Sequence, residues 1–150
     1  KLLPLASVIT PNMTEASILL DDRPLHTIED LKQAAIDLHE LGPAYVLVKG
    51  GRLDGPAVDV LFEGTTITTL EAPRIKTDYT SGAGCTYSAA IAANLAKGKP
   101  IKEAVLIAKK FITTAIEHSF TYTHLLGPTY HAAERKYGQA HEIVVHSEEI

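Results

Sequence analysis

A chain of 150 residues that is 45% hydrophobic and 21% charged can bury one domain-sized core. Its net charge of -4 offers no broad basic field, which argues against nucleic acid or an anionic membrane as a partner. No apolar run reaches the roughly 18 residues needed to cross a bilayer, and the single cysteine excludes an internal disulfide framework. A lone thiol suits a reducing, cytoplasmic setting. The opening Lys1-Leu2-Leu3-Pro4-Leu5 is too short for a secretory h-region. With no initiator Met and structured-looking sequence at once, the chain is expected to be a fragment or processed piece.

Val8-Ile9 form a short β-favouring stretch that stops at Thr10-Pro11-Asn12, where Pro11 biases Thr10 toward an extended backbone and Asn12 can cap a helix. Apolar residues at 13, 16, 19 and 20 predict a short helix over 13–20. Thr27 is a good N-cap, with Glu29 and Asp30 behind it. Leu31, Ala34, Ala35, Leu38 and Leu41 then repeat at helical spacing until Gly42. The continuous apolar run 44–48 suits a strand buried on both faces, and it ends in Lys49-Gly50-Gly51. Residues 57–62 and 66–70 read as a hairpin turned by Glu63-Gly64-Thr65.

After the polar loop 76–81 comes Gly82-Ala83-Gly84-Cys85, opening an alanine-rich helix predicted over 86–96. A second helix is predicted over 101–118, with a stripe of Ala104, Val105, Ala108, Ile112, Ala115 and Ile116, and a weaker one over 130–137. Residues 139–150 read as a tail, in part extended. The alternation predicts an α/β layered fold with a mostly parallel sheet. In such sheets ligands bind outside the carboxyl ends of the strands, where Thr10-Pro11-Asn12 and Lys49-Gly50-Gly51 fall.

Small residues at Gly82-Ala83-Gly84 let a ligand approach the backbone, and the first N–H groups of the helix have no intrahelical partners. With the helix dipole they make an anion site suited to a transferring phosphoryl group. A helix start also favours the thiolate form of cysteine, so Cys85 is a candidate base for a substrate hydroxyl. The alternative is a tight packing loop with Cys85 as a small buried hydrophobe. The loop is neither a Walker A motif nor a dinucleotide fingerprint. Lys49 suits phosphate contact, or is a solvated strand end. Glu15 suits water-mediated Mg²⁺ binding, or is a first-turn carboxylate serving the helix dipole. The seven histidines give no ligand spacing with the one cysteine, which argues against zinc.

Four segments in this order resemble the ribokinase-fold vitamin kinases, namely hydroxymethylpyrimidine/phosphomethylpyrimidine kinase and the pyridoxal kinases similar to it. They are Thr10-Pro11-Asn12-Met13-Thr14-Glu15-Ala16, Val46-Leu47-Val48-Lys49-Gly50-Gly51, Asp59-Val60-Leu61-Phe62-Glu63-Gly64, and Gly82-Ala83-Gly84-Cys85-Thr86-Tyr87-Ser88-Ala89-Ala90-Ile91. The last is the most specific, since sugar kinases similar to these usually carry Asp at the position of Cys85.

The resemblance implies a ribokinase-like α/β/α fold and ATP-dependent phosphorylation of a hydroxymethyl group, in thiamine biosynthesis or vitamin B6 metabolism. It implies Cys85 as base, with the backbone of Gly82, Ala83, Gly84 and Cys85 as anion hole. Lys49, Asn12, Gly51 and Thr80 would serve ATP, and Glu15 would serve Mg²⁺. Thr80-Ser81 stands where many hydroxymethylpyrimidine kinases have Thr-His, and Ala83 replaces a frequent Thr. With Gly127-Pro128-Thr129-Tyr130-His131, these departures point toward the pyridoxal-kinase-like subgroup. The match is read as the C-terminal half of such a kinase over residues 1–138. That implies, besides the small-molecule vitamin precursor, a protein partner: the missing N-terminal half or further copies of the chain. The competing readings are a nucleotide-binding fragment without transfer activity, and a sugar or nucleoside kinase of the same fold.

Overall fold

The computed structural model describes residues 2–121 and 127–150. These form two compact units, one of residues up to Glu71 together with Val144–Ile150, the other of Ala72–Ile143. No helix among the described residues is long and apolar enough to cross a membrane.

The first unit is built on a five-stranded sheet ordered β1(Val8–Ile9), β2(Tyr45–Lys49), β3(Ala57–Phe62), β4(Thr66–Ala72), β5(Val144–Glu149). β1 runs parallel to β2, with Val8 opposite Tyr45 and Ile9 opposite Val46. Two helices, α1(Met13–Leu19) and α2(Ile28–Glu40), form the crossover between them. α2 starts where the sequence places it. Thr27 Oγ1 accepts from Asp30 N–H at 3.1 Å while the Asp30 carboxylate accepts from Thr27 N–H at 2.9 Å, a reciprocal cap that satisfies two orphan donors. Leu31, Ala34, Ala35 and Leu38 are then fully buried at helical spacing. They join Val46, Val48, Val60, Phe62 and Ile67 in one core, so alternate residues of the strands meet the apolar stripe of α2. Full burial of a leucine contributes roughly 2 kcal/mol, so this stripe dominates the attachment of α2 to the sheet. Val46, Leu47 and Val48 are all buried, and β2 is covered on both faces as its unbroken apolar run predicts.

Two expectations are corrected. The sheet is mixed, not mostly parallel. β2 and β3 are antiparallel, as are β4 and β5. Only the β1–α1–α2–β2 connection returns a strand in the same direction, and β3 and β4 are joined by a turn too short for a crossover. Residues 139–150 are not a simple tail either, because 144–149 form β5 on the free edge of β4, from Glu71 opposite Val144 to Thr66 opposite Glu149. The Thr68 and Ser147 hydroxyls are hydrogen-bonded at 2.9 Å across that pair. β5 is mostly exposed and polar, so its pairing comes from the backbone ladder and carries little hydrophobic periodicity to read.

The second unit holds α3(Ala83–Ala96), α4(Ile101–Glu117) and α5(Ala133–Tyr137). α3 and α4 pack together. Ala104, Val105, Ala108, Ile112 and Ala115 are buried, and Ile116, the last of the expected stripe, is half-buried. α5 is shorter than its sequence suggests, with Gly138 in a positive-φ conformation at its end.

Candidate functional site

The first unit gathers four of the expected residues at the carboxyl ends of β1 and β2. Lys49 N–H donates to Pro11 C=O at 2.9 Å, and Asn12 bridges Lys49 in parallel register. Two loops 38 residues apart in sequence are thereby tied together. Gly51 is exposed two residues beyond Lys49.

Asn12 and Glu15 are both committed to the start of α1. Asn12 Oδ1 accepts from Glu15 N–H at 2.9 Å, and Glu15 Oε2 accepts from Asn12 N–H at 2.8 Å. The first-turn reading of Glu15 therefore holds as local structure. Glu15 is nevertheless exposed, and the cap occupies only its Oε2, so the other carboxylate oxygen can meet a water shell. That suits Mg²⁺, which keeps several waters and needs few protein carboxylates.

The Lys49 turn depends on Gly50. A Cβ there would lie 2.2 Å from Val58 O and 2.8 Å from Leu31 Cδ1. In return for that approach, Gly50 N–H donates to Val58 C=O at 3.0 Å and to the carboxylate of the buried Asp59 at 3.1 Å. Asp59 sits opposite Lys49 across the β2–β3 pair. Arg52 Nη1 donates to Thr14 Oγ1 at 2.9 Å, which pins the loop after β2 to α1 and adds an exposed cation three residues past the half-buried Lys49. Neither Asp59 nor Arg52 has a role in the sequence reading. Their partners become visible only when distant segments fold together.

The second unit gathers the other five. Gly82 is the N-cap of α3 at φ 80°, ψ 0°, a left-handed conformation that side-chain-bearing residues rarely adopt. Ala83 N–H donates to Thr80 C=O at 3.0 Å, and Thr86 N–H donates to Gly82 C=O at 2.9 Å. The N–H groups of Gly84 and Cys85, between them, meet no acceptor among the described residues. α3 also has no side-chain cap.

α1 and α2 satisfy first-turn donors with capping boxes, whereas α3 starts without a side-chain cap and with an exposed, free Cys85 thiol. Thr80 and Ser81 are held in place from the other side. Ser81 N–H donates to Gly127 C=O at 3.2 Å, and Thr129 N–H donates to Ser81 C=O at 3.4 Å. One turn into α3, Thr86 Oγ1 and His131 Nε2 are hydrogen-bonded at 3.0 Å. Cys85 and Thr86 lie at one end of an open groove of about 570 Å³, with His131, Glu134, Asn94 and Lys97 along it. Cys85 is exposed among the described residues.

Residues 1–130 match the phosphomethylpyrimidine kinase family. The pyridoxine kinase of Bacillus subtilis is 50% identical over 137 residues, which is 90% of this chain and 51% of that protein. The hydroxymethylpyrimidine/phosphomethylpyrimidine kinase of Streptomyces coelicolor is 41% identical over 131 residues, 87% of this chain and 48% of that one. The fold is shared with the pyridoxal kinase of Staphylococcus aureus in complex with AMP-PCP. The TM-score is 0.90 at 39% identity, covering 99% of this chain and 54% of that chain. The ADP complex of Bacillus subtilis pyridoxal kinase superposes with a TM-score of 0.87 at 51% identity. The chain spans about half the length of the relatives it matches. On this match the chain belongs to the phosphomethylpyrimidine kinase family.

Proposed function

We propose that the protein serves ATP-dependent phosphorylation of a hydroxymethyl group on a vitamin precursor, either pyridoxal or pyridoxine, or hydroxymethylpyrimidine and its phosphate. The observation that carries this reading is the start of α3. There, backbone donors without an acceptor among the described residues and an exposed thiol stand within two residues of each other. Support also comes from relatives that are named pyridoxine kinase and hydroxymethylpyrimidine/phosphomethylpyrimidine kinase, and from related structures that hold ADP or AMP-PCP.

In this mechanism the substrate hydroxyl oxygen attacks the γ-phosphorus in line, and the bond from that phosphorus to the β–γ bridging oxygen breaks to release ADP. The hydroxyl proton passes to Cys85 Sγ. Negative charge on the equatorial oxygens is met by the N–H groups of Gly84 and Cys85, with Gly82 and Ala83 keeping the approach free of side chains. On the first unit, Lys49 and Arg52 supply positive charge for nucleotide phosphate, with Asn12 and Gly51 beside them; on the second, Thr80 serves the nucleotide ahead of α3. Magnesium, when bound, offsets phosphate charge, and the uncapped Glu15 oxygen would hold it through water.

Thr86 and His131 fix the first turn of α3 so that these donors keep their direction. The assay uses this chain supplied with the part of the fold that its relatives carry in their other half. Cys85→Ala is expected to lower phosphoryl transfer by about 10²- to 10⁴-fold while ATP affinity stays within about twofold of the parent. A Cys85→Ala protein that transfers phosphate at the parental rate would remove the proposed base.

A further inference from the structure

Of the 6 residues of β3, Ala57, Val58, Val60, Leu61 and Phe62 are apolar and only Asp59 is polar. Asp59 is 3% exposed. Burying a carboxylate costs free energy unless donors or an opposite charge compensate it, and an apolar residue here would pair with β2 at no such cost. The carboxylate therefore calls for a role beyond packing.

Register sets its surroundings. Gly50 N–H donates to Val58 C=O at 3.0 Å, so Gly50 and Val58 are a hydrogen-bonded pair. Lys49 and Asp59, the next pair along, then fall at a position without ladder bonds, and Lys49 N–H points the other way, to Pro11 C=O. Opposed side chains come closest at such a position. Lys49 and Asp59 thus leave one face of the sheet side by side, the face turned away from Val46, Val48, Val60, Phe62 and their core with α2. The same Asp59 carboxylate accepts from Gly50 N–H at 3.1 Å. Gly50 C=O in turn accepts from Leu53 N–H at 3.0 Å, which closes the turn beyond Lys49. One buried anion therefore borders Lys49 and fixes the first amide of the loop that follows it.

We propose that Asp59 is a positioning residue for phosphate binding, holding the turn at Gly50 closed and keeping Lys49 in the orientation that receives the phosphates of a nucleotide. The proposal rests on the nucleotide reading of Lys49 given above. Asp59, itself an anion, makes no contact with phosphate and acts through Lys49.

The test measures ADP affinity by isothermal titration calorimetry for the chain, for Asp59→Asn, for Lys49→Ala and for the two combined. Asp59→Asn is expected to weaken binding at least about tenfold, and to add less than about threefold once Lys49→Ala is present. Losses that multiply in the combined variant, or parental ADP affinity in Asp59→Asn, would overturn the proposal. Hydrogen exchange separates it from the nucleotide reading. Amides of residues 50–53 should exchange faster in Asp59→Asn, while those of α2 keep parental protection. Faster exchange there, with no ADP bound by the parent chain, would leave Asp59 as organiser of the loop and remove the nucleotide reading. Unchanged exchange would overturn the proposal whatever the chain binds. Should Asp59→Asn not fold, Asp59→Ser, which keeps an acceptor without the charge, enters the same measurements. Failure of both to fold would make Asp59 a structural residue only and overturn its positioning role.

Discussion

At the scale of single residues, the chemistry depends on backbone positions more than on unusual side chains. Gly50 shows how. Its Cα hydrogens face Val58 O and Leu31 at distances that no Cβ tolerates, so the Lys49 loop can close on β3 only with glycine there. Gly50→Ala is expected to destabilise the protein by about 2–3 kcal/mol, read as a lowered thermal midpoint. A Gly50→Ala protein with an unchanged midpoint would mean that the loop is free to shift and does not hold Lys49. Gly82 is legible in the sequence as part of a small-residue helix opening, and the structure adds its left-handed backbone. Asp59 was not legible as a partner of the loop. Its buried carboxylate meets Gly50 N–H nine residues away through strand pairing, and no local spacing encodes such a contact. The bond between Thr86 and His131 lies beyond sequence reading for the same reason, because 45 residues separate them.

At the scale of elements, most of the fold could be read because capping and periodicity are local. α1 and α2 begin at the predicted caps, and the 57–62 strand has the predicted bounds. β5 was missed because an exposed, polar edge strand carries no alternation, and the sheet direction was misjudged because strand order is a property of long connections.

The start of α2 also gives the protein an acid sensitivity. Backbone donation from His26, helped by Thr27, holds the Asp30 carboxyl below its ordinary value of 3.8. The Arg23 guanidinium beside Asp37, with Gln33, does the same there. For carboxyls lowered in the folded state, the stabilisation is complete above the unfolded value and is lost as pH falls below it through the folded value. Thermal midpoints should therefore be flat down to about pH 4 from these two groups and drop below it. Asp37→Asn should reduce that drop by removing the share of one group, and an equally steep acid drop in Asp37→Asn would contradict the assignment. Thr27→Ala should cost about 1 kcal/mol at neutral pH through loss of the cap.

At the scale of the whole molecule, the chain carries two separate sets of candidate groups, the cations Lys49 and Arg52 at and beyond the end of β2 and the helix start at α3. Each set sits on a compact unit of its own. The sequence order of these sets was enough to point to the family. What chooses between a pyridine and a pyrimidine could not be read, because the chain spans about half of the relatives whose names carry those substrates. A chain that spans about half of its relatives is expected to be less stable alone than with the polypeptide those relatives add. Binding to the folded state alone raises stability by mass action, so the thermal midpoint should rise on complex formation, and a midpoint that did not move would argue that the complement binds nothing folded.

The most direct test of the central claim is Mg-ATP-dependent phosphorylation of pyridoxal and hydroxymethylpyrimidine, measured side by side on the chain joined by the rest of the fold. Phosphorylated product from at least one substrate, lost in Cys85→Ala, is the predicted result. Nucleotide binding with no product from either would contradict phosphoryl transfer and leave a nucleotide-binding module.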